Sequence, residues 1–489
     1  MAEGCVVVER DDTGRVFRVP IVPRGGRNAR DGIKTIPSSQ SPWSTIAGWG
    51  SIQHVLSDLF LPAGYPASVS PDYLEYQTYN ALQAFCNSVS GLLASRGALE
   101  GVGVGNASVS ATHALLLTVL KDAFSRFTTI IAAYYFGTSL YPETKTFRFL
   151  ADVFNDASNV LDTVVPYIGA INLSESWPII PTGATLQIVA LCLSGALRSL
   201  CGLVAGGSKA ALTNHFVSPL TGKGDVGEVS AKDASRETVV GLSGMLLGTL
   251  LIPYVNTRTS TYIMLAILIG GHLLFNYLAV RSVVLRTLNK QRACILWADF
   301  RIPSGTCKDR MMSPADVASR ELIFGTPGCL RDTSTGVVIG RCTLGTSMRT
   351  VTSRCTAQHI ASALQIFEKE RYVLFIADRR SRVSHPPTIL VSFKSGYRST
   401  DQLQAWVHSI EVARYLTNLG DPAGTADVLH STLLATQKAI PHFVQSLTDA
   451  GWETADDSMM LGSPNHLISG VDKDPQCVEI DEKEAKKDQ

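Results

Sequence analysis

The chain has 489 residues, enough for two or three domains, with 17% charged residues and a mean hydropathy of +0.14, which is apolar for a wholly soluble protein of this size. A membrane-embedded portion is the economical explanation. The net charge of +1 supplies no basic footprint and argues against nucleic acid binding by bulk attraction. Ten cysteines form no CxxC pair and stand beside no histidine at metal-ligand spacing, so they read as reduced, mostly buried small residues, with no metal or cofactor implied.

The opening MAEGCVVVERDDTGRVF carries acids where a signal peptide has an apolar core, and acids also count against a transit peptide. Membrane insertion then falls to internal helices. Residues 1–58 read as an N-terminal hairpin and linker. CVVVE and RVFRVPIV alternate as strands about a turn at Asp12 to Gly14, Gly25 to Ser44 is the linker, and Trp49 to Phe60 is a short helix at the membrane surface.

Six helical segments are expected over residues 59–292, at about 71–99, 109–136, 143–170, 184–216, 231–253 and 259–290. Ser176 to Leu197, Thr238 to Thr257 and Thr259 to Val280 are uncharged, near the ~20 residues a bilayer needs. The last two carry the strongest signal, since a soluble helix of that length shows a charged face. Gly101 to Leu120 is uncharged too, but it begins in a glycine-rich loop. The expected fold is mostly α, a multi-pass membrane helical bundle of about six helices with a C-terminal α+β domain.

With a cytosolic N-terminus, Lys145 and Arg148, then Lys223, then Arg281, Arg286, Lys290 and Arg292 fall on the inner side, leaving Glu175 and Arg258 outside. This accords with the positive-inside rule and places both termini in the cytosol. The sequons Asn106-Ala-Ser108 and Asn172-Leu-Ser174 share the outer side.

Residues 293–465 change character. Ser313 caps and Pro314 opens a helix over Met312 to Phe324. Tyr372 to Ala377 and Thr388 to Phe393 are β-branched strands flanking the basic turn Asp378 to Arg382, and helices follow at Thr400 to Asn418 and about 426–449, before Trp452. This is a compact, cytosolic α+β domain. Residues 466–489 are expected to be a disordered tail, too polar from Val471 on to bury a core.

Charges inside apolar helices are the sharpest functional signal, because each is costly in hydrocarbon unless it meets a partner or a cavity. The second helix carries Lys121, Asp122 and Arg126. The third carries Asp152, Asn155, Asp156, Asn159 and Asp162, with positions 152, 156, 159 and 163 on one face at helical spacing. The fourth adds Arg198 and Lys209, and the fifth begins with Lys232, Asp233, Arg236 and Glu237. Lys121, Arg126, Arg198, Lys209, Lys232 and Arg236 are candidate contacts for a small polar or anionic metabolite. Asp122 and Asp233 join that substrate-binding set, with Asp152 and Asp156 as counter-charges or proton carriers. Lys121, Asp156 and Lys232 are the expected meeting point.

Plainer readings exist for the same residues. The charges also suit static ion pairs, the third-helix stripe also suits a water-facing helix, and Ser230 also suits a cap with Asp233 in the first turn. Lys121-Asp122-Ala123 echoes Lys232-Asp233-Ala234, as a three-plus-three transporter repeat would. Gly101-Val-Gly103-Val-Gly105 follows a helix, not a strand, and reads as a tight loop rather than a phosphate cradle. Gly195, Gly202, Gly206, Gly241, Gly244 and Gly248 read as close helix packing. His113, His215 and His272 are isolated and read as hydrogen-bonded bundle residues.

The stretch Leu59 to Gly105, LFLPAGYPASVSPDYLEYQTYNALQAFCNSVSGLLASRGALEGVGVG, resembles the opening of the root UVB-sensitive family, or vitamin B6 photoprotection and homeostasis domain. LKDAFSRF, FRFLADVFNDASNVLD, GGSKAALTNHF, VSAKDASRETV and NYLAVRSVVLRTLNKQRA extend the resemblance over about Phe60 to Ala293. It implies a membrane-associated protein, with plant members linked to vitamin B6 homeostasis and light responses, and it supplies no catalytic residues. The leading expectation is a membrane protein that binds or transports a small polar metabolite, its partners being the lipid bilayer, that metabolite and a family-member protein. The alternative is a membrane-anchored adaptor whose α+β domain recruits protein partners. A pyridoxal phosphate enzyme working through a lysine Schiff base finds no cofactor motif in the chain.

Overall fold

The computed structural model describes residues 5–10, 16–21, 59–103, 110–137, 140–168, 183–218, 224–255, 257–301, 311–326, 328–332, 336–377, 386–419, 425–455, 462, 464 and 466–470. The linker, the turn at Asp12 to Gly14, all but the end of the Trp49 to Phe60 segment, both sequon asparagines, Lys223, the basic turn and the tail from Val471 lie outside these residues. Two units result, one of residues 1–140 and 144–283, the other of residues 141–143 and 284–489.

In the first unit, β1 (Cys5–Arg10) and β2 (Val16–Ile21) pair antiparallel, with Cys5 opposite Ile21 and Arg10 opposite Val16. The expected hairpin strands are therefore present. Six helices follow: α1 (Tyr73–Gly101), α2 (Ala111–Phe136), α3 (Thr144–Ile168), α4 (Gly183–Phe216), α5 (Val226–Leu251) and α6 (Arg258–Ser282). α1 packs on α3, α5 and α6, while α4 packs on α2 and α3.

Two helix ends differ from expectation. α5 starts five residues early, because the Asp225 carboxylate accepts from the backbone N–H groups of Gly227 and Glu228 at 2.7 and 3.2 Å. A carboxylate there satisfies two orphan donors and meets the positive dipole end, so Ser230 lies inside the helix instead of capping it. α6 stops at Ser282, where Val283 turns extended (φ −72°, ψ 127°). Asn289 then caps a separate helix by accepting from the Arg292 backbone N–H at 2.8 Å.

α4, α5 with its 3-10 extension to Tyr254, and α6 are long and apolar enough to cross a membrane. The surface agrees with a lipid setting. α5 exposes Leu242, Leu246 and Leu250, and α6 exposes Ile263, Ile267 and Leu274. α2 exposes Leu115, Phe127, Ile130 and Tyr134 and buries Ala132 alone among its described residues. An apolar exterior around a polar interior reverses the usual pattern of a soluble bundle.

Close packing uses part of the expected glycine set. A Cβ on Gly244 would stand 2.7 Å from that of Ser88, and one on Gly195 would stand 2.8 Å from Lys121 Cγ. Gly202 and Gly206 have nothing within 4 Å, so the packing reading fails for them. Gly97 lets α1 approach the backbone of α3 closely, since a Cβ there would lie 2.4 Å from the Asp162 carbonyl oxygen.

In the second unit, α7 (Lys290–Phe300) and α8 (Pro314–Arg320) precede β3 (Cys329–Arg331), β4 (Val338–Leu344), α9 (Met348–Thr352) and α10 (Ala357–Ile366). β5 (Tyr372–Ile376), β6 (Thr388–Lys394), α11 (Ser399–Leu419), α12 (Thr425–Asp449) and β7 (Leu467–Ile468) complete it. The sheet order is β3-β4-β6-β5, with β7 also on β6; β4 and β7 run parallel to β6, and β5 runs antiparallel. The expected disordered tail therefore starts too early, because Leu467 and Ile468 pair with Phe393 and Lys394 and enter the sheet. β5 and β6 are buried along nearly their whole lengths, as strands covered on both faces must be. α8 opens with the expected Ser313 cap and Pro314 and ends at Arg320, short of Phe324. Buried Arg292, 2% exposed, donates to Glu321 at 2.9 Å, and Arg286 pairs with Glu453 at 2.9 Å. Two of the residues expected to form an inner-side basic cluster are thus committed to ion pairs.

The core of this unit holds His408, whose Nδ1 lies 3.1 Å from the Tyr372 hydroxyl and whose Nε2 lies 2.9 Å from the Thr432 hydroxyl. Burial pushes its imidazole down to about 3, against ~6.5 in an unfolded chain. Above that unfolded value neither state takes a proton. As pH falls from 6.5 toward 3 the unfolded chain binds a proton that the folded one refuses, so stability drops by about 1.4 kcal/mol per pH unit. Chemical denaturation at pH 7 and pH 5 should show a loss of about 2 kcal/mol that is absent in His408→Gln.

Candidate functional site: a polar seam inside the helical unit

α3 inverts the habit of a surface helix. It buries Asp152, Asn155, Asp156, Ser158, Asn159, Asp162 and Thr163, the stripe that helical spacing marks on FRFLADVFNDASNVLD. From Arg148 to Asp162 this face rises about 21 Å at 1.5 Å per residue. Partners on α1, α4 and α6 satisfy it, as buried polar groups require.

At one end the Arg148 guanidinium lies 3.2 Å from Asp152 and donates to Asn80 at 3.1 Å and to the Tyr76 hydroxyl at 3.3 Å. Asn276 on α6 donates to the same Asp152 at 2.6 Å. One turn further along α3, the Asp156 carboxylate stands 2.8 Å from His272 Nδ1, and His272 Nε2 is 3.8 Å from Asp152. Asn155 then donates to Asn87 at 2.7 Å and Asn159 to Ser90 at 3.4 Å. At the other end Asp162 accepts from Arg198 at 2.8 Å and from Ser194, with Lys121 at 3.7 Å.

A second cluster lies where α1 and α5 begin. Asp233 accepts from Gln77 at 2.6 Å and from Arg236 at 3.3 Å. Arg236 also donates to the Tyr73 hydroxyl at 3.0 Å and to the Phe60 carbonyl at 3.2 Å. Its guanidinium carbon sits 5.7 Å from the Tyr73 ring centroid, within cation–π range. Tyr73 and Tyr76 both pack on Phe216, at 5.4 and 5.1 Å between centroids, and His215 bonds Asp72 at 2.9 Å.

The structure sorts the expected site residues into three groups. Asp152 and Asp156 share His272, Lys121 and Arg198 share Asp162, and Asp233 joins Arg236. Lys121 meets Asp162 rather than Asp156, so the expected convergence on Asp156 is not observed. Lys209 pairs with Glu237 at 2.8 Å on the surface, and Lys232 is half-buried outside the seam. Asp122 and Arg126 are exposed and make no ion pair among the described residues. The echo of Lys121-Asp122 in Lys232-Asp233 finds no structural parallel, because the lysine faces inward in one and the aspartate in the other. Lys209→Ala is expected to change the stability read by thermal unfolding by no more than about 1 kcal/mol, the range of exposed pairs.

Four contributors were not legible as such. Arg148, assigned to an inner loop, lies inside the bundle. His272 and Asn276 stand four apart in an uncharged run, a spacing that puts two polar groups on one face of α6. Gln77 is uncharged and belongs to no motif that singles it out. Among the described residues no group of three or more His, Cys, Asp or Glu is arranged to hold a metal ion. In the second unit, burial pushes the thiols of Cys294 and Cys342 up to about 11 and about 12, which makes them unreactive.

Residues 47–302 match the profile described as the vitamin B6 photo-protection and homoeostasis domain, just over half of the chain. RUS family member 1 of Dictyostelium discoideum is 33% identical over 283 residues, 57% of this chain and 50% of that protein. Protein root UVB sensitive 3 of Arabidopsis thaliana is 28% identical over 360 residues, 73% of this chain and 74% of its own length. Protein root UVB sensitive 5 of the same plant is 23% identical over 453 residues, 88% of this chain and 80% of its own length. The chain thus spans about half the length of the Dictyostelium relative. No solved structure matches it. A match over the proline-bounded approach, all six helices and the buried stripe of α3 assigns the chain to the root UVB-sensitive family.

Proposed function

We propose that the helical unit lies in a membrane, with all six helices crossing it and both termini in the cytosol, and moves a small polar or anionic metabolite along the seam. The observation that carries this reading is α3, which hides its acids and amides while its neighbours expose leucine, isoleucine and phenylalanine. Intramembrane polar residues of this kind mark pathways, since hydrocarbon rejects them elsewhere. Arg148 and Arg236, beside Tyr73, Tyr76 and Phe216, supply anion-attracting charge next to aromatic faces. That chemistry suits a ring bearing an acidic group, and the family description makes vitamin B6 vitamers the first to test. Labelled pyridoxal, pyridoxine and pyridoxal 5′-phosphate should enter proteoliposomes containing the full chain in a saturable way. Absence of both uptake and binding by folded protein overturns the reading.

The second unit favours an adaptor as the alternative. It has its own core and a cavity of about 640 Å³ beside Glu368, Arg371 and Lys394, a place where a partner segment would dock. Full cellular function after Asp156→Asn with Lys232→Gln would support the adaptor over transport.

A further inference from the structure

The four buried acids among the described residues of the helical unit are not held alike. Asp152 has Arg148, Asp162 has Arg198 and Lys121, and Asp233 has Arg236. Asp156 has His272 and no lysine or arginine within ion-pair distance among the described residues. His272 is 1% exposed and Asn276 0%, and His272 Nε2 and Asn276 Oδ1, one turn apart on α6, lack hydrogen-bond partners. The groups around the imidazole are Asp152 and Asp156 from α3, with Arg148 behind Asp152. Cys86 of α1 and Cys201 of α4 stand within electrostatic reach of Asp156. His272 lies near the middle of α6, hence near the middle of a membrane span.

We propose that Asp156 and His272 form a proton-binding site that takes up and releases one proton as the seam works, while Asp152 stays a fixed countercharge. The proposal rests on the transport reading and adds the coupling ion to it. In the empty state the Asp156 carboxylate accepts from Nδ1–H and the Nε2 lone pair is bare. A proton from water adds at Nε2, forming one N–H bond and an imidazolium between Asp156 and Asp152. Release to water on the other side breaks that same bond. Asp152 is unsuited to the task, because Arg148 and Asn276 already occupy its oxygens.

Loading changes the couple from net −1 to neutral. An anion passing the middle of the seam meets repulsion when the couple is empty and none when it is loaded, a difference that low-dielectric surroundings enlarge. Proton and anionic cargo therefore travel in the same direction.

Two measurements on the full chain test this. Nitrogen-15 NMR of histidine-labelled protein in nanodiscs needs no cargo. A ring signal absent in His272→Gln should change protonation across a pH series, and Asp156→Asn should move that change. A His272 signal holding one protonation state throughout overturns the proton site whatever transport shows. In proteoliposomes, uptake of labelled pyridoxal 5′-phosphate should rise several-fold with an inward proton gradient. His272→Gln and Asp156→Asn, confirmed folded by circular dichroism, should lose that response. Wild-type uptake indifferent to the gradient overturns the coupling and leaves transport standing. Titration as expected without any uptake supports the proton site and overturns the transport reading instead.

Discussion

Arg148→Ala is expected to destabilise the helical unit by about 3–5 kcal/mol and to abolish uptake, because it leaves the Asp152 charge buried without its cation. Asp152 is 6% exposed, so water cannot replace the guanidinium. Arg148 also donates to Tyr76 and Asn80, and its loss frees two further buried groups on α1. The double variant Arg148→Ala with Asp152→Ala should recover most of the stability, since removing both charges together avoids an uncompensated one. Thermal unfolding in detergent reads the first effect and proteoliposome uptake the second. A single variant as stable as wild type would remove the Arg148–Asp152 pair from the account of what holds the seam.

Gly97→Ala is expected to cost about 3 kcal/mol or more, at the upper end of overpacking effects. The added methyl would meet the Asp162 carbonyl oxygen at 2.4 Å and Thr163 Cα at 2.7 Å. Both are backbone atoms, so relief requires α1 and α3 to separate as whole helices. That separation would also draw Asn159 away from Ser90, opening the amide stretch of the seam. Gly91→Ala is the control on the same helix, because a Cβ there has nothing within 4 Å and alanine is the better helix former. Melting temperatures of the two variants should fall apart by several degrees. Equal values would remove the close contact from the account.

Helix positions were legible wherever a long apolar run or a single clear cap decided them. Ser313 with Pro314 and the strands at 372–376 and 388–394 are examples. Ends were misread where two signals competed. Asp225 and Ser230 both offer N-caps to α5, and the carboxylate wins because it binds two first-turn donors. The stretch from Val283 to Asn289 contains no proline or glycine, so nothing local marks the break that Asn289 imposes on the end of α6.

The candidate site was half legible for a related reason. Spacing alone put positions 152, 156, 159 and 163 on one face of α3, and left Asp162 beside it. It could not say what opposes that face, because the pattern of one helix carries no information about its neighbour. His272 therefore looked isolated in sequence although it lies 2.8 Å from Asp156 in space. Asp122 and Arg126 erred the other way, since charges in an apolar helix face inward or outward with equal ease until packing decides.

Accessibility of single cysteines tests the central claim, that a polar path runs through a lipid-facing bundle, most directly. The ten native cysteines are first replaced, then one is placed at Asn155, Asn159 or Asn87 in the seam, or at Leu246 or Ile267 on the apolar exterior. The account predicts that seam positions react with a membrane-impermeant, water-borne thiol reagent and are protected by cargo, while exterior positions stay silent in membranes and react in detergent. Silent seam positions beside reactive exterior ones would contradict it, making the bundle a water-exposed scaffold with sealed ion pairs at its centre.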